Sequence, residues 1–400
     1  MKKLLYVGHA YHQKTKSVRF LLDLLENEYE VHYFAADPLQ PAHLEELANI
    51  PVKEFDVLVV FQIMPSINEI RRFVTFKKGI FFPMYDFYYG STPLSNPIWN
   101  EYKDFTIINF SKTLHNDLKE VGFETEYIQY FPKPFKDFSW GAVDSIYFWQ
   151  RVTHINIYLL YNLIINYPLR HMHLHKAIDP AQQFIPVSED PGDPCGVYFK
   201  SRELTYSSWY ETREEMYKDM EKSALYMAPR YHEGIGLSFL EAMAMGRCVI
   251  GVDHPTMNEY IVDGQNGFLF RLEDQRPLDI TPEKVQEIQK NAFEFVQKGY
   301  QRWEESKHLI LEWIARPAVG AVNLCLPEKK AGGVPYRWGF WGGFINWIKG
   351  AGVTWQTTSC SLFGFIPLYK VKKMCGGDRV RFCVFGIPVY ERKVNKRRFM

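Results

Sequence analysis

Two α/β halves, each built on a doubly wound parallel sheet and facing the other across a cleft, are the architecture this sequence predicts, with a small basic appendage after them. Three observations predict it. The chain has 400 residues, more than one hydrophobic core organises. Short β-branched and aromatic runs alternate with helical segments twice over, as buried parallel strands and their crossover helices do. Beyond Pro317 that alternation stops, and a basic, aromatic composition takes over.

In the first half, strands are expected at Leu4–Gly8, Glu30–Ala35, Phe55–Phe61, Gly79–Phe82, Phe105–Asn109 and Glu126–Tyr130. Helices are expected at Val18–Asn27 and at Lys112–Val121, the latter stopped by Gly122. Pro132 and Pro134 then mark a hinge, giving a first domain over 1–132. The second series runs over 133–316. Its expected strands are Ser145–Trp149, His171–His175, Leu225–Ala228 and Arg247–Val252. Its expected helices are His154–Tyr167, Glu211–Ser223, Ser238–Met245, Glu283–Gly299 and Trp303–Ala315, the last two with an apolar stripe at three-to-four spacing. The proline-bearing stretch 182–206 reads as a loop region, with a strand at Leu204–Tyr206 before Trp209 and Tyr210. Ligands of such sheets bind beyond the carboxyl ends of the strands, so the cleft is where chemistry is expected.

The third segment, 317–400, carries the charge asymmetry. Residues 331–400 hold 12 Lys/Arg against 2 Asp/Glu, a net of +10, which leaves −9 on the first 330. Trp338, Trp341, Phe344 and Trp347 lie in it, followed by two Phe-Gly-x-Ile-Pro-like copies at Phe363–Tyr369 and Phe385–Tyr390. An acidic body with a basic aromatic tail predicts contact with an anionic membrane surface, not with nucleic acid; the plainer reading is a small β appendage packed by these aromatics, with its charges solvated. The run after Met1-Lys2-Lys3 is short enough for a first β-strand and too short for a signal peptide. Six cysteines without a C-x-x-C pair fit a reduced compartment. The expected location is therefore the cytoplasm, peripheral to the inner face of a membrane.

The chemistry concentrates in Ala228-Pro229-Arg230-Tyr231-His232-Glu233-Gly234-Ile235-Gly236-Leu237-Ser238-Phe239-Leu240-Glu241. A strand ends, two glycines let the backbone approach a ligand, and a helix begins near Ser238. Free N–H groups and the positive dipole end at that helix start suit phosphate oxygens. Two plainer readings compete. Ser238 and Glu241 fit an S-x-x-E capping box, and the glycines can serve the turn alone.

This stretch resembles the E-x7-E signature of family 4 of the retaining glycosyltransferases, and Glu233 and Glu241 stand at that spacing. Asn258-Glu259-Tyr260-Ile261-Val262-Asp263-Gly264-Gln265-Asn266-Gly267-Phe268-Leu269 resembles the family's second signature. The likeness is strong around these two motifs and extends loosely over most of residues 1–315. It implies the GT-B fold, a nucleoside-diphosphate sugar as donor substrate, no separate cofactor and no metal. It also implies roles. Glu241 would hold the ribose, and Glu233 the donor sugar. The backbone of Gly234, Gly236, Leu237 and Ser238 would cradle the diphosphate. Arg151 matches the family's phosphate-binding arginine, with an interdomain salt bridge as its plainer reading. At the first-domain strand end, where the family often has a histidine, this chain has Pro83-Met84-Tyr85-Asp86, and Asp86 can contact the sugar or equally be a helix N-cap or turn residue. Trp209 and Tyr210 stand near the nucleobase position, with core packing as the alternative.

The sequence departs from that pattern in two further places. The lysine that usually follows the arginine is absent: Asn156 and Ile157 stand there, so either His154 or a lysine of the first half supplies the second cation, or the diphosphate is held by fewer charges. The glycine-rich loop after the first strand is replaced by Gly8-His9-Ala10-Tyr11-His12-Gln13-Lys14. His171, His173 and His175 alternate along one strand and could face one metal, but no partner acid or cysteine has fitting spacing. The expected reaction is transfer to a hydroxyl of a glycan or lipid-linked saccharide acceptor in surface polysaccharide or glycoconjugate synthesis. A nucleotide-sugar epimerase on the same fold and a non-catalytic glycan-binding relative are the alternatives.

Overall fold

The computed structural model describes residues 1–36, 41–324, 355–362, 366–374, 379–384 and 387–393, the last four stretches as backbone strands. Residues 1–327 form one compact unit and 328–400 a second.

The first unit holds two parallel six-stranded sheets. In the first half, strands β1 (Lys2–His9), β2 (Tyr29–Ala36), β3 (Glu54–Gln62), β4 (Thr75–Pro83), β5 (Phe105–Asn109) and β6 (Thr125–Tyr127) lie in the order β2-β1-β3-β4-β5-β6. In the second, β7 (Ala142–Trp149), β8 (His171–His175), β9 (Glu203–Ser207), β10 (Ser223–Met227), β11 (Cys248–Val252) and β12 (Phe268–Phe270) lie in the order β12-β11-β10-β7-β8-β9. The interior strands are apolar on both faces: Leu4, Leu5, Tyr6 and Val7 of β1 are all fully buried, as are Ala224 to Met227 of β10. Burying each such side chain contributes about 1.5–3 kcal/mol, and only a sheet covered on both sides offers that burial.

The helices of the first half are α1 (Tyr11–Thr15), α2 (Arg19–Glu26), α3 (Ile67–Ile70), α4 (Tyr85–Tyr88) and α5 (Lys112–Glu120). Those of the second are α6 (Ile157–Ile164), α7 (Pro194–Lys200), α8 (Arg213–Met220), α9 (Leu237–Ala244), α10 (Pro282–Ser306) and α11 (His308–Ala315). Chain order reverses across the sheet at β1 in the first half and at β7 in the second. The loops leaving these two strands therefore flank the crevice where such sheets bind ligands.

Two sets of hydrogen bonds are among the links that tie the halves together. The carboxylate of Glu259 caps the start of α5, accepting from Ser111 Oγ at 2.8 Å, from the Lys112 N–H at 2.8 Å and from the Thr113 N–H at 3.0 Å. The buried Lys78 of β4 donates to the carbonyls of Trp313 (2.9 Å), Ile314 (3.1 Å) and Arg316 (2.7 Å). It thereby closes the end of α11 against the first half. From there, residues up to 324 run along the first half, with the Val322 N–H donating to the Lys103 carbonyl at 3.1 Å.

In the second unit, β13 (Trp355–Leu362), β14 (Ile366–Met374), β15 (Arg379–Val384) and β16 (Ile387–Lys393) form an antiparallel sheet in chain order. The Ile-Pro pairs of the two repeat copies open β14 and β16. Their Phe-Gly pairs and the Trp338–Trp347 cluster lie outside the described residues. Among the described residues, no helix is long and apolar enough to cross a membrane.

Several elements differ from expectation. The stretch 182–206 contains α7 ahead of the strand expected at Leu204–Tyr206, which is β9: Pro194 sits at the first position of α7, where its missing N–H costs nothing, and Asp193 caps it from the side chain. The long helical segment breaks at Lys307 and not near Gly299. That glycine sits mid-helix because a Cβ there would lie 2.3 Å from the Phe131 ring.

Candidate active site

A cleft of about 650 Å³ opens between the halves, and all ten residues to which the resemblance gives a place in the site line it, from Asp86, Arg151, Trp209 and Tyr210 to the stretch around Glu233 and Glu241. Strand ends deliver them. His9 ends β1 and the short helix α1 follows it, Asp86 follows β4, Arg151 follows β7, Trp209 follows β9, and Arg230 to Gly236 follow β10.

The α9 start is the most constrained part. Gly236, in the left-handed region at φ +86, is the N-cap, and no side chain caps the helix. The first N–H groups of α9 thus open on the wall that Gly236, Leu237 and Ser238 form. A side chain at 236 would collide with the Phe239 ring at 1.9 Å, so only glycine satisfies both the φ and the space. Gly234 brings the two halves into contact, since a Cβ there would sit 3.0 Å from Met84 Cβ and 3.1 Å from Asp86 Oδ1.

The capping-box reading of Glu241 is corrected here. Helix α9 starts one residue earlier than expected, and the Glu241 carboxylate bonds Arg213 instead of turning back to Ser238. Apart from Glu241, the residues from Phe239 to Ala244 are fully buried and apolar, so a carboxylate among them needs a reason other than packing. Burial raises its pKa, opposed by Arg213. Glu233 is also buried, its Oε1 has no hydrogen-bond partner, and burial raises its pKa against the pull of Arg230 and Arg151. An unmet carboxylate oxygen facing a cleft is a site for a ligand hydroxyl.

The cations form a chain across the cleft floor. Arg151 lies over the Trp149 ring at 4.7 Å and donates from Nε to Asp179 Oδ1 at 2.7 Å. Asp179 also accepts from Arg230, which reaches Asp86 across the cleft at 3.5 Å. The interdomain salt-bridge reading of Arg151 is thus realised in part, through Asp179 and Arg230. Asp86 is not the N-cap of α4; Met84 is, and Asp86 accepts instead from the Phe87 N–H at 3.0 Å. Of the two candidates for a second cation, His154 is exposed and does not line the cleft, whereas Lys14 does, 5.4 Å over the Trp209 ring. Arg230 was missed as a site residue. Its position three residues after the end of β10, inside the motif itself, was the available signal.

Trp209 is 52% exposed at the cleft mouth, edge-on to Tyr11 at 6.3 Å, so it is not core packing. Tyr210 stacks on His175 at 4.8 Å. The strand histidines are engaged within the fold: His173 contacts Thr205 Oγ1 (2.9 Å) and Ser207 Oγ (2.8 Å), and His175 contacts Ser207 Oγ (2.8 Å). Among the described residues, no group of three or more acids, histidines or cysteines is placed to hold a metal ion. In place of the glycine-rich loop, α1 brings Tyr11, His12 and Lys14 to the cleft.

Residues 195–281 match the family model described as "Glycosyl transferases group 1". The fold is similar to that of sucrose-phosphate synthase from Thermosynechococcus elongatus, at 13% identity and TM-score 0.56, over 78% of this chain and 100% of that one. It is also similar to the lipopolysaccharide outer core galactosyltransferase WaaB, at 10% identity and TM-score 0.50, over 78% of this chain and 99% of that one. No curated protein sequence matches the chain. The architecture is the one expected, two Rossmann-like halves facing a central cleft as in the GT-B fold, with an antiparallel sheet in the appendage.

Proposed function

We propose that this chain is a retaining glycosyltransferase that moves a sugar from a nucleoside diphosphate to a hydroxyl of a glycan or lipid-linked saccharide, in the synthesis of a surface polysaccharide or glycoconjugate. One observation carries the reading. Two buried glutamates at the E-x7-E spacing, Glu233 and Glu241, flank an uncapped helix start inside the cleft between the halves.

The roles follow from position. Trp209 at the mouth receives the nucleobase. Glu241 takes the ribose hydroxyls, with Arg213 paired to its carboxylate until they arrive. The diphosphate lies against the N–H groups at the α9 start, with Arg151 and Arg230 beside it. Glu233 and Asp86 face the donor sugar. In the reaction, the bond from the sugar C1 to the phosphate oxygen breaks while a bond from C1 to the acceptor oxygen forms on the same face. The acceptor proton passes to the departing phosphate oxygen, and the nucleoside diphosphate leaves. Catalysis rests on placing the two oxygens and on preorganised positive charge at the leaving group. Swinging about Pro132–Pro134 would admit substrates and then exclude water.

The test is transfer itself. The purified chain is incubated with UDP-, GDP- and ADP-sugars and saccharide acceptors, with and without EDTA, and the product is examined by NMR. A product of unchanged anomeric configuration, formed equally with EDTA, is expected. Inversion, epimerised donor without transfer, or activity that returns only with Mn²⁺ or Mg²⁺ would contradict the proposal.

A further inference from the structure

The two Ile-Pro copies build the same strand twice. Each opens its strand, β14 or β16, and the register slips once just after it, passing over Leu368 in the first copy and Val389 in the second. A proline has no N–H for the ladder, so a bulge beside it is the expected form. Beyond the bulge the register is regular. It sets Thr358, Val371, Phe382 and Tyr390 in one row across the four strands, and Thr357, Lys372, Arg381 and Glu391 in the next.

Successive residues of a strand belong to opposite faces, and directly paired residues belong to one face. One face of this sheet therefore holds Tyr369, Val371, Val380, Phe382 and Tyr390, together with Lys373 and Arg392. The other holds Lys370, Lys372, Arg379, Arg381 and Lys393, with Glu391 among them. An apolar face backed by a charged one is the pattern of an antiparallel sheet that packs on one side only.

Stability of the sheet does not account for the basic face. Lys372 is paired with Arg381, and Arg379 with Lys393, and like charges directly opposite destabilise a sheet. Protection of the sheet margins does not account for it either, since β14 and β15 are the interior strands. An array of anions relieves that repulsion. The cations are spread in two dimensions, about 6.5 Å apart between alternate residues of a strand and about 4.8 Å apart between strands. A planar anionic surface meets all of them at once, whereas a linear polyanion meets one row.

We propose that this face docks on an anionic phospholipid surface, with Lys370, Lys372, Arg379, Arg381 and Lys393 supplying the charge. The arrangement of the cations on one face of the sheet, and not net charge alone, makes the contact. It does not rest on the glycosyltransferase reading.

Co-sedimentation of the full chain at low salt tests it, with phosphatidylcholine vesicles that contain or lack phosphatidylglycerol. Two double variants neutralise the basic face, Lys372→Gln/Arg381→Gln and Arg379→Gln/Lys393→Gln. A third, Lys373→Gln/Arg392→Gln, removes the same charge from the opposite face. The wild-type chain is expected to bind only the vesicles that contain phosphatidylglycerol. Each basic residue near such a surface strengthens binding about fivefold, so the two basic-face variants should bind at least about tenfold more weakly and the third within about twofold of the wild type. Hydrogen exchange along β14 and β15 reports that the sheet is kept, and relief of the like-charge pairs should leave it at least as protected. Either basic-face variant that keeps this protection decides the matter. The proposal is overturned if the wild-type chain ignores phosphatidylglycerol, or if all three variants weaken binding equally, which would assign it to net charge alone. Retention by heparin with indifference to the vesicles would assign the face to a linear polyanion instead.

Discussion

Glu233 is a carboxylate the fold would be more stable without. Its pKa is raised above the ordinary 4.5 by burial, and the same carboxyl in the unfolded chain loses its proton at the ordinary value. A raised acid penalises the folded state as pH climbs past that value, because the unfolded chain is the better place for the charge. Glu233→Gln should therefore raise the melting temperature more at pH 8 than at pH 5, while lowering turnover at least about tenfold and donor affinity far less. Thermal unfolding at the two pH values, beside steady-state kinetics, checks both halves. A melting gain equal at the two pH values would remove the electrostatic explanation. Residues of this kind were legible in the sequence because their spacing forms a motif. Arg230 was not, since only the folded chain brings it between Asp86 and Asp179, 144 and 51 residues away.

At the scale of elements, Glu259 does something its motif did not announce. It lies in the second signature, yet its carboxylate caps α5 in the other half, joining three donors over about 147 residues of chain. Glu259→Ala should cost about 1–2 kcal/mol. It should also speed hydrogen exchange at the start of α5, whose Lys112 and Thr113 N–H groups lose their acceptor. Exchange unchanged there would show that Ser111, which itself caps Leu114 at 3.2 Å, suffices alone. The strands were the most readable elements, because runs such as Leu4–Val7 must be buried on both faces. Short elements in polar surroundings were the least readable. Helix α7 has only seven residues, and its identity rests on Asp193 and Pro194 at its start, which also serve in turns. Gly299 suggested a stop because glycine weakens helices; the demand of Phe131 for space outweighs that cost.

At the scale of the molecule, two halves contribute to one cleft and a basic segment follows them. Sequence periodicity could announce two sheets, but not that Lys78 would clasp the end of α11 or that Glu259 would reach across. The net +10 of residues 331–400 predicts that the full chain sediments with anionic vesicles at low salt and is released at high salt, as charges screened over a Debye length should be. A chain ending at Pro327 should stay in the supernatant in both conditions. Indifference of the full chain to anionic vesicles at low salt would remove the support for a membrane-held acceptor. The central claim, that the cleft between the halves holds a nucleoside diphosphate on the α9 start and Glu241, is tested most directly by calorimetric titration of UDP, GDP and ADP into the wild-type chain and Glu241→Ala. One of the three should bind the wild-type chain with and without EDTA, and at least about tenfold more weakly in the variant, as the loss of a charged hydrogen-bond acceptor for the ribose requires. No binding of any of the three, or equal affinity in the variant, would contradict it.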